Sequence, residues 1–190
     1  MSANTVTQRY QSEYEIKRSR FIAVIAPTGD GDQLEAFLSE LARQHPQATH
    51  LTFAWRILTP QGLRERCHDA GEPSGTAGRP ILTHLQGKNL INVCLAVVRY
   101  FGGTKLGAGG LARAYGQAAR QVLEIATIQP HILYRTMKAQ IDYRQFQNLS
   151  KRLAEFGAEV ENAEYGTGVT VTIRVPEPHY QAVQQLLQIL

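Results

Sequence analysis

The stretch from Val97 to Gly116 combines two features that can bind an anion. It has the sequence VVRYFGGTKLGAGGLARAYG, with six glycines and with Lys105 and Arg113 among them. Backbone N–H groups at the start of a helix, together with such charges, can face a phosphate. The same glycines can instead provide turns with positive φ and close packing, and we expect this for most of them. The pattern remains compatible with one phosphate contact in this loop.

Nucleotide cofactors are disfavoured by the spacing of this stretch. A Walker A loop needs a Ser or Thr directly after its lysine, and none follows Lys105. The dinucleotide pattern G-x-G-x-x-A does occur at residues 107–112. However, the preceding apolar run ends near Phe101, too early for the tight turn, and no acid ends a following strand about 20 residues later. No cofactor is therefore expected.

One cluster of residues contains the side-chain types that nucleophilic catalysis uses. Cys67, His68 and Asp69 are consecutive, and His50 lies across a predicted hairpin. Because consecutive strand residues point to opposite faces, the three cannot form a relay by themselves. The six histidines show no paired spacing for a metal. We assign no catalytic and no metal-binding residue, and an enzyme acting on a small phosphorylated or peptide substrate is the third hypothesis.

Positive charge is concentrated in one segment of this 190-residue chain, whose net charge is +4. No acid occurs between Glu72 and Glu124. Uncompensated cations attract polyanions such as RNA, although a partly apolar segment can also simply lack acids. A shorter basic run lies just before or within the first predicted strand. The candidate nucleic-acid-binding residues are Arg79, Lys88, Arg99, Lys105, Arg113 and Arg120 of the segment, and Lys17, Arg18 and Arg20 of the run.

Length and an apolar content of 43% fit one large or two small domains with a packed core. No apolar run approaches the ~18 residues of a membrane helix, and the N-terminal stretch lacks the apolar core of a secretory signal. Cys67 and Cys94 suit reduced thiols better than a disulfide framework. We expect a cytoplasmic protein without a membrane partner, and the oligomeric state stays open.

Hydrophobic periodicity predicts the elements that position these residues. Alternating or continuous apolar runs predict strands, and spacings of three and four predict helices. In the first part of the chain the predicted strands are 20–26, 50–58, 63–68 and 90–101, the last of them central, and the predicted helices include residues 34–42 and 109–126.

The same patterns carry finer expectations. Asp32 caps the first helix, and Thr76 or Ser74 caps a short helix after a turn-rich loop at 69–80. Ile125 lies on the core face of the last of these helices. Alternation in the strand at 50–58 places four apolar side chains on one face: Leu51, Phe53, Trp55 and Ile57.

A change of pattern at residues 127–131 indicates a domain boundary, and we place the two domains at 1–128 and 129–190. The second domain has the order strand, helix, strand, strand, helix, which is the split β-α-β plan of ferredoxin-like folds. Asp142 caps its first helix. The pattern contains no obvious further strand to close this sheet.

Three stretches of the sequence share the pattern of one known family. They are EIKRSRFIA at 15–23, DAGEPSGTAGRPIL at 69–82 and VVRYFGGTKLGAGGLARAYGQAA at 97–119. These closely resemble the signature of the IMPACT family, in its bacterial YigZ-type branch. The resemblance covers residues 15–125, and the last third is similar to the small domain of bacterial members. Ala70 departs from the family, which often has a second acidic or polar residue there, and this weakens a paired-acid site.

The resemblance implies an α+β fold with two domains. The first resembles ribosomal-protein and elongation factor G domains, with a left-handed β-α-β crossover, and the second is small and ferredoxin-like. It also implies translational control, in which eukaryotic members bind a partner protein of a stress kinase, and no catalytic residue. By fold-level analogy, function is expected at the shared loops, which contain Asp69, Gly71, Glu72, Pro73, Gly75, Thr76, Gly78, Gly102, Gly103, Gly107, Gly109 and Gly110.

The first hypothesis is a translation regulator that binds RNA or the ribosome through a basic face of the first domain. A protein-interaction module of stress-linked translational control is the alternative, with a protein as its partner. The first hypothesis requires that cations from distant parts of the chain gather on one exterior surface without neutralising neighbours.

Overall fold

The computed structural model describes residues 3–189, which form two compact units. The first unit ends at His131 and the second begins at Ile132. The predicted α+β class with two domains is confirmed. In chain order the first unit contains β1 (Asn4–Thr5), β2 (Tyr10–Ile16), β3 (Ser19–Pro27), α1 (Gly31–Gln44), β4 (His50–Thr59), β5 (Gly62–His68), α2 (Gly78–Gly87), β6 (Val93–Tyr100), α3 (Ala108–Ile125) and β7 (Gln129–Pro130).

β6 is the central strand of the first unit, as its apolar run predicts. The five-stranded sheet has the order β2-β3-β6-β4-β5, and every neighbouring pair is antiparallel. β3 and β4 therefore run parallel, joined through α1, with β6 inserted between them. Because both faces of β6 are covered, its residues 93–99 are all buried.

Alternation along the strands divides the core into two layers. On one face of the sheet, Phe21 and Leu95 pack with α2 and α3 around the buried Tyr115. On the opposite face, Val98 packs against Phe37 of α1. We refer to these as the α2/α3 face and the α1 face. A residue's position in its strand therefore decides which helix it meets.

β2 is a strand that the periodicity analysis missed. Tyr14 and Ile16 are half-buried on its inner side, whereas Glu13 and Glu15 are exposed on its outer side. An edge strand buries only one side, so every second residue is polar and the apolar signal is weak. The basic run that begins at Lys17 consequently lies in the turn between β2 and β3.

Two finer predictions about the helices are wrong. Asp30 rather than Asp32 caps α1, because its carboxylate accepts a hydrogen bond from the amide of Gln33 at 2.8 Å. Ile125 is 56% exposed in the last turn of α3 rather than on its core face. Both errors concern helix ends, where periodicity is weakest as a guide.

Gly102 is required by the close approach of two backbones. A Cβ added to it would lie 2.0 Å from the carbonyl carbon of Arg18, far inside any allowed contact. Its amide also donates a hydrogen bond to Oγ of Ser19 at 3.1 Å. The loop before α3 is thereby held against the β2–β3 turn, in which Lys17 and Arg18 both have positive φ.

Gly102→Ala is expected to destabilise the first unit by at least about 2 kcal/mol, because the methyl group forces the two backbones apart. Gly87→Ala is the matched control: nothing lies within 4 Å of its added Cβ. A helical alanine there is neutral or stabilising by up to about 1 kcal/mol. Urea unfolding followed by the fluorescence of Trp55, the chain's one tryptophan, measures both variants. Equal stabilities would show that the turn yields to the methyl group.

The second unit has the predicted order of strands and helices. Its sheet has the order β8-β10-β9, with antiparallel neighbours, so β10 separates β8 from β9. Asp142 forms the predicted helix cap, as part of a capping box with Gln145. Within residues 132–189, no strand pairs with the outer edge of β8. The elements are β8 (Tyr134–Ile141), α4 (Tyr143–Ala154), β9 (Glu159–Tyr165), β10 (Val169–Pro176), a 3₁₀ turn (Glu177–His179) and α5 (Tyr180–Gln188).

Candidate nucleic-acid interface

A surface groove of about 750 Å³ lies in the first unit between the end of β2 and the helices α2 and α3. Lys17 reaches it from the β2–β3 turn, Arg113 and Arg120 from α3, and His84 from α2. Among the described residues that line it there is no carboxylate. We term it the basic groove. It brings together three of the predicted cations from distant parts of the sequence.

The helical repeat explains what α3 contributes to the basic groove. Arg113 and Arg120 are seven residues apart, so two turns of helix place them on one side. Gly116 lies between them, and a Cβ added there would make an ordinary contact with Nε2 of His84 at 3.5 Å. Tyr14 of β2 provides the facing wall. The groove lining thus combines a glycine with an aromatic ring and charged side chains.

The charges around His84 give the basic groove its electrostatic character. The pKa of His84 is lowered, first by burial and then by the positive charges of Arg120 and Lys88. Its imidazole is therefore neutral at physiological pH. Lys88 therefore lies close enough to lower the pKa of His84, although Lys88 does not line the basic groove. An anion bound there would reverse this influence and favour the protonated imidazole.

Several predicted cations are exposed and unpaired. Lys105 precedes Leu106, whose side chain lines the basic groove. Arg18 lies in the β2–β3 turn, and Arg79 lies in the first turn of α2, near Cys67. Within residues 3–189, none of these three forms an ion pair, and neither does Lys88. None of these four lines the basic groove; Lys88 acts on His84 within it, and Lys105 and Arg18 are the sequence neighbours of its lining residues Leu106 and Lys17.

Three predicted cations have acidic partners. Arg99 is not a surface residue at all: it is 4% exposed and its guanidinium donates to Glu72. Strand alternation turns it to the α2/α3 face, beneath the loop that carries Glu72. Arg20 pairs with Glu13 at 2.8 Å and Arg120 with Glu124 at 2.7 Å, both at the surface. The prediction that Arg99 contacts nucleic acid is corrected on this ground.

Glu72 is the centre of a buried polar cluster. Its Oε1 accepts hydrogen bonds from Arg99 and from the hydroxyl of Tyr115, the latter at 2.7 Å. Nε2 of His50 lies 3.8 Å from the same oxygen, and Nδ1 of His50 lies 2.8 Å from the carbonyl oxygen of Ala70. Burial, and then the contact with Glu72, raises the pKa of Tyr115. The cluster joins the loop after β5 to β6, β4 and α3.

Asp69 organises the loop that precedes α2. Its carboxylate accepts hydrogen bonds from the amides of Gly75 (2.8 Å), Ala77 (3.1 Å) and Gly78 (2.8 Å). Burial acts to raise the pKa of Asp69, but these three amides outweigh it and hold the pKa below its ordinary value. Asp69 thus caps α2 from outside the helix, and the predicted caps at Ser74 and Thr76 are wrong.

The remaining residues of the shared loops determine the backbone conformation of these loops. Four of the loop glycines have positive φ, a conformation that L side chains rarely adopt: Gly71, Gly75, Gly103 and Gly107. A Cβ added at Gly78 would lie 2.7 Å from the amide nitrogen of His68. The hydroxyl of Thr76 donates to the carbonyl of Pro73 at 2.6 Å. Gly109 and Gly110 lie in the first turn of α3, which has no side-chain cap.

Asp69→Ala is expected to lower the free energy of unfolding by about 1–2 kcal/mol at pH 7, because three amides lose their acceptor. The pKa of Asp69 is lower in the folded than in the unfolded chain. The stabilisation is therefore complete above about pH 4 and is lost as the pH falls through the folded pKa. Urea titrations from pH 7 to pH 3 should show the gap between wild type and variant closing on acidification.

Glu35→Ala is the control for this pH series, since Glu35 is an exposed acid on α1 without a hydrogen bond within the described chain. Its stability should follow that of the wild type throughout. A gap for Asp69→Ala that does not change with pH would contradict the capping role of the carboxylate.

The candidate catalytic residues do not converge. His68 stacks on Phe53 on the α1 face, at 5.3 Å between ring centroids, whereas His50 faces Glu72 on the α2/α3 face. Burial, and then Asp69, raises the pKa of Cys67, so its thiol is not activated. Both cysteines are free. Across residues 3–189, no three His, Cys, Asp or Glu side chains are grouped to hold a metal.

Comparisons with known proteins agree on one family. The family model described as Impact N-terminal domain matches residues 17–123, and the one described as a domain of unknown function, DUF1949, matches residues 140–189. An "IMPACT family member in pol 5'region" of Thermus thermophilus is 39% identical over 161 residues, covering 85% of this chain and 86% of the relative. "IMPACT family member YigZ" of Escherichia coli (strain K12) is 34% identical over 163 residues, covering 85% and 80%.

A solved structure, "Crystal structure of an hypothetical protein", is 31% identical with a TM-score of 0.70, and the match covers 96% of this chain and 89% of that one. These matches define a class of two-domain proteins in which an Impact N-terminal domain precedes a DUF1949 domain. The chain belongs to the IMPACT family.

A membrane-spanning helix is not found in the part of the chain that the structure describes, where no helix is both long and apolar enough.

Proposed function

We propose that this protein is a translation regulator that binds RNA through the basic groove of its first unit. The observation that carries the proposal is the meeting of Lys17 with Arg113 in one groove whose lining contains no described carboxylate; Arg120 also lines the groove, but it is paired with Glu124. Such a set of cations contacts consecutive phosphates and releases their counterions. Membership of the IMPACT family, with its role in translational control, supports the regulatory part.

The shape of the basic groove favours a flexible strand over a small metabolite. The groove is an open channel rather than an enclosed pocket, and its walls combine cations with the ring of Tyr14. Proteins that bind single strands pair a positive groove with aromatic rings on which bases stack. Phosphate contacts carry no sequence information, so we expect weak base preference at this site.

Lys17→Glu combined with Arg113→Glu should weaken binding of a short single-stranded RNA about tenfold or more, because two phosphate contacts become repulsive. With the two unpaired groove cations, Lys17 and Arg113, log K of the wild type should fall against log[salt] with a slope of about −1.4, and the variant's slope should be shallower. Titrations of fluorescently labelled RNA at several salt concentrations measure both quantities.

Arg144→Glu combined with Lys151→Glu is the matched control, because it makes the same change of charge at two exposed cations of α4, in the second unit. That variant should bind RNA nearly as the wild type does. Equal losses of RNA affinity in both double variants, or an affinity that does not respond to salt, would contradict RNA binding by the basic groove. A partner protein retained after nuclease treatment by both variants would favour the protein-interaction alternative.

RNA affinity should also rise as the pH falls from 8 to 6, by about three- to tenfold. His84 is neutral at the higher pH because burial and nearby cations lower its pKa. A bound phosphate offsets the repulsion from Arg120 and Lys88, so protonation of His84 adds one favourable contact. His84→Gln should abolish the rise while leaving affinity at pH 8 nearly unchanged. A rise that persists in this variant would assign the pH effect to another group.

A further inference from the structure

A second charged surface lies at the opposite edge of the sheet, on strand β5. In the β4–β5 hairpin, Arg64 pairs with Ile57 and Arg66 pairs with Trp55. Each pair shares a face of the sheet, so both arginines project on the α1 face. Both are exposed, and neither forms an ion pair within residues 3–189. The basic groove involves the other edge strand and the α2/α3 face, so the two surfaces are separate.

Within residues 3–189 no acidic side chain forms an ion pair with Arg64 or Arg66; Asp30 lines the same cavity as Arg64, and its Oδ1 accepts a hydrogen bond from the amide of Gln33. Glu65 lies between the two arginines in sequence, but alternation turns it to the α2/α3 face. There its carboxylate binds Arg56 at 2.9 Å and Gln86 at 2.7 Å. The carboxylate of Asp69 is occupied by three backbone amides. Two adjacent cations of β5 therefore face solvent without a counter-charge in the strand itself.

Aromatic rings accompany these cations. Trp55 and Phe53 are half-buried on the α1 face of β4, next to Arg66 and His68 of β5. His68 is exposed and stacks on Phe53, with ring planes 20° apart. The strand edge thus presents a cation, an indole and a stacked imidazole in succession. Bases of a single strand stack on such rings while the cations hold its phosphates.

A cavity of about 450 Å³ adjoins Trp55 at the end of this surface. Its lining includes the apolar residues Leu34 and Ile57, and the charged residues Arg64 and Asp30. Mostly apolar walls with a few polar groups are typical of sites for planar ligands. Because Arg64 both lines the cavity and extends the cationic row, a base in the cavity would have its phosphate within the row's reach.

We propose that the surface formed by Trp55, Arg64, Arg66 and His68 is a second site for single-stranded RNA, which it holds by stacking bases as well as by binding phosphates. The positive charge of β5 favours a polyanion as the ligand, and the aromatic rings favour a polyanion that carries bases. The site does not depend on the basic groove. It gives the first unit two RNA contacts on opposite faces of the sheet.

Trp55 permits a direct test, because the chain contains one tryptophan. Titration of the wild type with a six-nucleotide oligouridylate should quench its fluorescence, since a stacked base lies against the indole. Inorganic polyphosphate, which has the charge but no bases, should not quench it. Arg64→Glu combined with Arg66→Glu should weaken the oligouridylate titration about tenfold or more. The Arg144→Glu and Lys151→Glu variant is again the control and should titrate as the wild type does.

The outcomes separate this proposal from the one for the basic groove. The Lys17→Glu and Arg113→Glu variant should keep the quenching of Trp55 by the six-nucleotide oligouridylate, even as its binding of RNA in the basic groove falls. Absence of quenching by oligouridylate, or equal quenching by polyphosphate, would overturn the stacking site whatever the groove does. Trp55→Leu, followed by anisotropy of labelled oligouridylate and checked for folding by circular dichroism, should lose about tenfold in affinity. An unchanged affinity in that folded variant would also overturn it.

Discussion

The first unit depends on one buried carboxylate. Glu72 lies in a loop, yet its side chain is buried. Its carboxylate accepts hydrogen bonds from the guanidinium of Arg99 in β6 and from the hydroxyl of Tyr115 in α3. A carboxylate buried without partners would cost several kcal/mol, on the order of 3–5. The loop, the central strand and the long helix therefore reach a stable arrangement only together. The position of α3, and with it one wall of the basic groove, follows from this contact.

Periodicity predicted the central strand and the order of the second unit because buried faces there are continuous, whereas the hairpin of β4 and β5 followed from its turn and its alternation, since β5 is mostly exposed. Periodicity failed where the physical partner is remote in sequence or where an edge strand buries one side only. Asp69 caps a helix from nine residues before Gly78, a distance that no capping pattern describes. β2 was missed because its outer side is charged.

The distribution of charged residues along the sequence predicted only part of the candidate site. The segment without acids contained Arg99, but a lone arginine within an apolar run is itself a sign of a buried ion pair, and Glu72 is the nearest preceding acid. Conversely, Arg64 and Arg66 lie outside the segment without acids, and Glu65 separates them in sequence. Alternation in the strand places Glu65 on the face opposite to the two arginines. Charges that nearly cancel along the sequence therefore form a positive surface in the fold.

The contact of Gly102 with the backbone of Arg18 has a further consequence. It fixes the turn that carries Lys17 to the chain that enters α3, so backbone packing sets the distance between these two sides of the basic groove. If the groove binds RNA as proposed, little entropy is spent on ordering the protein, and the flexibility of the RNA strand becomes the main cost of association.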